Sequence, residues 1–250
     1  MSLEWRSPLV FAHRGASAHA PENTLAAFEL AIQEGADFIE MDAKLSADER
    51  VVIIHDQTVD RTTDGTGLVK ELPLASLQEL DASAKFPEFS GKEHIPTLEE
   101  VIETFRGRVR FNIELSNYFT PLDALPIKVA TIIDYIGIRD QVLISAFHPF
   151  AILRFHKLLP SIPIGFLARR GLPGALSRSR LGKKIVPYQA IHPDKDDVSY
   201  QLIRAAHSSD MRVHAYTVND PQEMAKLLSL EVDGLITDYP SIARQIIETT

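Results

Sequence analysis

Residues 38–56 read "FIEMDAKLSADERVVIIHD", and the way this stretch folds decides the architecture around it. Its first half alternates, with Ile39, Met41 and Ala43 apolar and Glu40 and Asp42 acidic. An extended chain therefore puts the two acids on one face and the apolar side chains on the other. "SADER" supplies a turn and "VVII" a return strand. A tight turn at Asp48 and Glu49 sets residue 47 opposite residue 50 and, counted back, Asp42 opposite His55. The hairpin thus carries His55 to the acids, with Asp56 beside it either orienting the imidazole or solvating a turn.

Outward from this hairpin, short strand-like runs alternate with amphipathic helical stretches. The runs are "LVFAH" (9–13), "DFIEMDAKL" (37–45), "RVRFNIEL" (108–115), "QVLISA" (141–146), "IPIGFLA" (162–168), "YQAIH" (188–192), "RVHAYTV" (212–218) and "DGLITD" (233–238). Strands followed by helices eight times over read as an α/β chain folded into a (β/α)8 TIM barrel. One domain over residues 1–250 is expected, with a small insertion between strands two and three: residues 46–96 hold the hairpin and an excursion whose turn-rich "TTDGTGLV" forms a loop or subdomain over the barrel mouth. Helix starts are marked by "TLEE", a capping-box pattern from Thr97 to Glu100, and by Asp220 followed by Pro221.

Composition narrows the chemistry. The chain has 250 residues, 45% of them apolar, enough for one large core. Cysteine is absent, which excludes disulfides and thiolate metal sites and leaves His and carboxylates as ligands. A net charge of -8 argues against nucleic acid as a partner. No run has the length of a transmembrane helix, and "MSLEWRSPLVFAHRG" lacks the features of a signal peptide, so a cytoplasmic protein is expected.

Barrels of this kind place their chemistry at the C-terminal strand ends. His13 and Arg14, Glu40 and Asp42, Asn112 and Glu114, Ser145, His192 and Asp238 all fall there. Acids side by side repel, by roughly 1 kcal/mol at about 4 Å in water and about 4 at an effective dielectric of 20. Adding Glu114 to Glu40 and Asp42 calls for a divalent cation; oxygen ligands suit Mg²⁺ or Ca²⁺, with Mn²⁺ also compatible. The alternative is that the acids point outward and pair with Lys or Arg. A cation, two imidazoles (His13 and His55) and Arg14 suit phosphodiester cleavage, with charge neutralised on the nonbridging oxygens and protons moved by the histidines. A lone His is more often a hydrogen-bonded core residue, but the joint placement with acids at strand ends favours a site. His192 is a weaker pocket candidate. His156 and His207 read as surface residues, and His19, His94 and His148 carry no assigned role. "SRSRLGKK" (177–184) reads as a solvated loop rather than an anionic-headgroup contact.

Taken together, "HRGASAHAPENTLAAF", "GADFIEMDAKL", "VVIIHDQTVDRTTDGTG", "IPTLEEV", "FNIEL", "SAF", "YTVNDPQEM" and "VDGLITDYP" resemble, in order, the motifs of the glycerophosphodiester phosphodiesterase family. The resemblance runs from about residue 9 to 240. It implies a (β/α)8 barrel that hydrolyses glycerophosphodiesters, small-molecule substrates, to sn-glycerol 3-phosphate and an alcohol with a divalent cation. It further implies His13 and His55 as the acid/base pair, Glu40, Asp42 and Glu114 as metal ligands, Arg14 as a phosphate contact, and a cyclic phosphate formed by the glycerol 2-hydroxyl and then opened by water. Two departures stand out. Ser116 stands where the family commonly has Lys, so Ser116 is expected at the substrate, and Arg169 and Arg170 could restore the charge from a neighbouring loop or simply be solvated. Tyr216 stands where many relatives have Trp and keeps an aromatic wall of another shape, while Phe147 and Tyr118 are read as lining the alcohol side of the pocket, with core or surface placement as the alternative. A phosphodiester-binding barrel without turnover, and a barrel like the phospholipase D toxins that forms cyclic phosphates, are the alternative readings.

Overall fold

The computed structural model describes residues 8–171, 174–175, 178, 182 and 185–249. Its strands are β1 (Leu9–Ala12), β2 (Phe38–Leu45), β3 (Val51–Ile53), β4 (Arg110–Leu115), β5 (Val142–Ala146), β6 (Ile164–Ala168), β7 (Ala190–Pro193), β8 (Arg212–Ala215) and β9 (Gly234–Thr237). All but β3 run parallel in one sheet, and β1 pairs with both β2 and β9, which closes a barrel of eight strands. The helices are α1 (Leu25–Gln33), α2 (Leu74–Glu79), α3 (Leu98–Phe105), α4 (Leu125–Ile136), α5 (Pro149–Leu158), α6 (Tyr200–His207), α7 (Pro221–Ser229) and α8 (Pro240–Thr249). Their starts follow side-chain chemistry: Thr24 and Thr97 accept from the backbone of Ala27 and Glu100, and Asp220 accepts from Gln222 and Glu223. Among the described residues no helix is long and apolar enough to cross a membrane.

Alternation along the strands sorts the side chains into two populations. Val10, Ala12, Ile39, Met41, Ala43, Ile113 and Ile144 point outward and build the large core against the helices. Leu9, Phe11, Phe38, Leu143 and Ile236 point inward and fill the lower barrel. Above them the inward positions turn polar, and Glu40, Asp42, Asn112, Glu114 and Ser145 stand side by side because β2, β4 and β5 pair in register Glu40↔Asn112, Asp42↔Glu114 and Glu114↔Ser145.

The hairpin forms, but its register differs by one residue from the expected one. Ala43 pairs with Ile53 and Lys44 with Val52, and the Ile54 N–H donates to the Asp42 carbonyl, so Ile54 rather than His55 stands opposite Asp42. The reason is the turn: Ser46 pairs with Arg50 across a three-residue loop whose last residue, Glu49, takes the left-handed conformation at φ 56°. His55 lies one step beyond the strand and reaches the site from there. The excursion after it has its own small core of Val52, Ile54, Val59, Val69, Leu77 and Ile95.

His192 is the second correction. It does not reach the rim but is fully buried lower in the barrel, where its Nε2 lies 3.0 Å from Nδ1 of His214 and its ring is near Phe11. "SRSRLGKK" lies for the most part outside the described residues.

Candidate active site

The polar inward positions open into a cavity of about 160 Å³ at the C-terminal mouth, lined among others by His13, Arg14, Glu40, Asp42, His55, Asn112, Glu114, Ser145, Phe147 and Tyr216. The first βα turn shapes one side of it. Arg14 adopts φ 57°, sparsely populated for a residue with a side chain, and Gly15 follows at φ 85°. A Cβ on Gly15 would lie 2.7 Å from the backbone of Ala27, so only glycine lets α1 pack this close. The strained turn aims the Arg14 N–H at Glu40 Oε2, 2.9 Å away, and its guanidinium at Glu22 (3.0 Å) and Asp42 (3.4 Å). Asn23, also left-handed at φ 59°, donates its side-chain amide to Asp42 Oδ2 at 3.0 Å.

Glu40, Asp42 and Glu114 each bring a carboxylate oxygen within 4.8 Å of the others. Burial pushes Glu40 well above the usual carboxylate range, and Asp42 and Glu114 push it further. Burial and the neighbouring Asp42 raise Glu114 to about 8. Burial acts on Asp42 in the same direction, but Arg14, His55, Asn23 and His13 outweigh it and hold this acid below its ordinary value. The cluster is thus short of positive charge. The Asn112 Oδ1 beside it is buried without a hydrogen-bond partner among the described residues. Three carboxylates, an unsatisfied amide oxygen and no sulfur form a donor set that fits a hard divalent cation.

Each histidine is held by its own carboxylate. His13 Nδ1 lies 2.6 Å from Asp238 Oδ1, and Asp238 is fixed in turn by Asn219 (2.6 Å) and Ser17 (3.0 Å). His55 Nδ1 lies 2.7 Å from Asp56 Oδ1, and Arg61 bonds Asp56 at 2.6 Å and Glu22 at 2.7 Å. A carboxylate only accepts, so each Nδ1 carries its proton and each Nε2 is left to the cavity. Of the two readings of Asp56, the structure displays the orienting one.

Arg14, Phe147 and Tyr216 line the cavity; Phe147 and Tyr216 meet edge to face at 5.9 Å, and the Tyr216 hydroxyl donates to the Ala168 carbonyl at 3.0 Å. Ser116 stands behind the acids and outside the cavity lining: its hydroxyl lies 3.1 Å from both Asp42 Oδ1 and Glu114 Oε1. Behind it the buried Lys44 donates to the Ser116 carbonyl at 2.7 Å. Burial lowers the Lys44 ammonium, with Asp42 and Glu114 opposing that shift. Glu22, Asn23, Lys44 and Arg61 were not singled out from sequence as site residues, and Asp238 was placed at the rim with no partner assigned. The "PENT" and "TDYP" segments held three of them, but their partners are distant along the chain.

The sequence profile described as the Glycerophosphoryl diester phosphodiesterase family matches residues 13–242. A glycerophosphodiester phosphodiesterase of Bacillus altitudinis is 37% identical over 96% of this chain and 98% of its own length. One from Caldanaerobacter subterraneus is 35% identical over 93% of this chain and 94% of its own. Among solved structures, an Oleispira antarctica phosphodiesterase in complex with the product sn-glycerol-3-phosphate superposes with a TM-score of 0.85 at 31% identity, covering 97% of each chain. The glycerophosphodiester phosphodiesterase of Agrobacterium tumefaciens superposes with a TM-score of 0.81 at 29% identity, over 95% of this chain and 99% of that one. The cavity's paired histidines and acid trio therefore belong to a hydrolase fold with known relatives, and this chain is a member of the glycerophosphoryl diester phosphodiesterase family.

Proposed function

We propose that this protein hydrolyses glycerophosphodiesters to sn-glycerol 3-phosphate and an alcohol, with His13 and His55 as the acid/base pair. The observation that carries the reading is the shared one: two imidazoles, each with Nδ1 held by a carboxylate, line one cavity with three acids. Glu40, Asp42 and Glu114 would hold a divalent cation, Mg²⁺ or Ca²⁺ with Mn²⁺ also accommodated. Once bound, it supplies Lewis-acid neutralisation of the phosphate's nonbridging oxygens.

The chain's own groups do the rest. Arg14 offers guanidinium donors to the phosphate while keeping Glu40 and Asp42 in place. His13, with 20% of its side chain exposed, sits on the enclosed side and takes the proton from the attacking hydroxyl; His55, at 41%, faces the open side where alcohols of varied size leave, and protonates the departing oxygen. Asp238 and Asp56 stabilise the imidazolium each histidine becomes. The attacking hydroxyl is that of glycerol C2 or water; a transient cyclic phosphate seen by phosphorus NMR identifies the former.

The test uses two substrates. On a glycerophosphodiester with an alkyl leaving group, His13→Ala and His55→Ala each lower kcat by about 10²–10⁴-fold. On one with a nitrophenyl leaving group, which needs no proton, only His55→Ala recovers. Equal losses on both substrates would remove the division of labour, and full activity in both variants would remove the proposed mechanism. Wild type that binds the diester without product release in any of the three cations would instead be a binding barrel.

A further inference from the structure

Among the described residues, the Arg or Lys lining this cavity that a phosphodiester meets is Arg14, and that guanidinium is already shared between Glu22 and Asp42. Resting on the function proposed above, we infer that Arg169 is a second guanidinium contact to the substrate phosphate, presented on an aromatic platform at the cavity's edge.

Strand alternation sets its direction. Leu167 lines the cavity and Ala168 belongs to the outer core, so Arg169, the next inward position, leaves the backbone just past the end of β6 on the cavity side. Its guanidinium carbon lies 4.0 Å from the ring centre of Tyr118 and 5.5 Å from that of Phe147, a lining residue. Stacking uses the faces of the guanidinium and leaves its edge N–H groups for an anion.

The backbone beneath it is held as well. Arg178 donates to the carbonyls of Arg169 (2.8 Å) and Gly171 (2.6 Å), Asp197 accepts from the Gly171 N–H at 2.7 Å, and Arg178 and Asp197 pair at 2.9 Å. Among the described residues, Arg170 is paired with Asp196 at 3.0 Å and Arg178 with Asp197, and elsewhere at the site Arg61 is held by Glu22 and Asp56. Arg169 has no carboxylate partner among the described residues, which distinguishes it from Arg170. An anchored, stacked and charge-unbalanced guanidinium beside a cavity that must receive an anion is preorganised for that anion.

The measurement is calorimetric binding of sn-glycerol 3-phosphate in excess magnesium, for wild type, Arg169→Met, Arg169→Lys and Arg170→Met. Arg169→Met, which keeps an unbranched apolar stem on Tyr118 but loses the charge and donors, weakens binding about tenfold or more, the scale of one charge-assisted contact. Arg169→Lys recovers part of the loss, Arg170→Met binds as wild type, and all unfold at the wild-type temperature because the side chain is exposed. Turnover by the same proteins shows a raised KM with kcat within about threefold. Equal affinity of wild type and Arg169→Met would overturn the inference alone, leaving diester turnover by wild type to stand. Wild type that neither binds glycerol 3-phosphate nor turns over a diester would overturn both readings.

Discussion

Two clusters of buried polar groups share the inside of this barrel, and they solve opposite problems. At the mouth, Glu40, Asp42 and Glu114 crowd together with Arg14, Asn23, Ser116 and Lys44 bonded around them. Lower down, His192 and His214 share a single N···N contact of 3.0 Å, with Phe11 packed on His214 at 4.6 Å and stacked on Phe38 at 4.6 Å. The upper cluster is acidic and short of positive charge, which suits a cation that arrives from solution. The lower one is kept neutral: burial pushes His192 down to about 3 and His214 well below its ordinary value. On the proposed function, histidine is a reagent at one level and a packing residue at the other. Carboxylate partners on Nδ1 separate the two cases: His13 and His55 have them, whereas Nδ1 of His214 meets Nε2 of His192.

The largest effect is expected where the upper cluster is broken. Asp42 receives Asn23 at 3.0 Å, Ser116 at 3.1 Å and Arg14 at 3.4 Å, so Asp42→Asn removes both a proposed cation ligand and the charge that these donors address. Turnover falls by about 10²-fold or more, and the cation concentration for half-maximal activity rises. A titration of activity against Mg²⁺ checks it; an unchanged midpoint would show that the cation is held elsewhere.

The lower cluster responds in stability instead. A Cβ placed on Gly165 runs into the imidazole of His192, which is fully buried and has nowhere to swing. Gly165→Ala therefore costs about 1–3 kcal/mol in a urea titration, while kcat of the folded fraction stays within about twofold. Adding His192→Ala returns part of the loss, because the clash is removed at the cost of a cavity. Additive losses would show that the two residues do not compete for one space.

The barrel was legible in the sequence because its signals are local. Alternation in "FIEMDAKL" and "RFNIEL" depends on neighbours two residues apart, and the caps at Thr97 and Asp220 on neighbours two or three away. The acid trio was legible for the same reason, since strand ends in such a barrel share one rim. What escaped was set by the third dimension. Asp238 meets His13 across 225 residues and Lys44 meets Ser116 across 72, and no spacing rule links either pair. The hairpin register escaped because Glu49 takes a left-handed conformation that nothing in "SADER" announces. His192 was misplaced by its height along one strand, the coordinate that separates the polar mouth from the dry interior.

That same coordinate gives the two clusters opposite pH responses, the finest test of the contrast between them. For the lower pair the ordinary value is 6.5, and burial takes His192 down to about 3 and His214 well below its ordinary value, so the unfolded chain binds more protons through this window. Stability therefore falls as pH drops below about 6.5, with a slope approaching about 1.4 kcal/mol per pH unit for each histidine. Asp56 adds its own loss lower down, as pH falls from its ordinary value of 3.8 through its depressed value of about 2. For Glu114 the order is reversed: 4.5 ordinarily and about 8 in the cation-free fold, so the folded chain binds more protons and loses stability as pH rises through that range. A divalent cation takes the place of the proton, so its stabilising increment grows from pH 5 to 8. Urea titrations at three pH values, with and without Mg²⁺, separate the two. Glu114→Gln weakens the alkaline decline, to which Glu40 also contributes, and removes most of the Mg²⁺ increment, and His192→Leu removes the His192 share of the acid limb alone. A Mg²⁺ increment independent of pH would mean that the acids at the mouth are already ionised without it, and the difference between the two levels of the barrel would then be one of hydration rather than of charge.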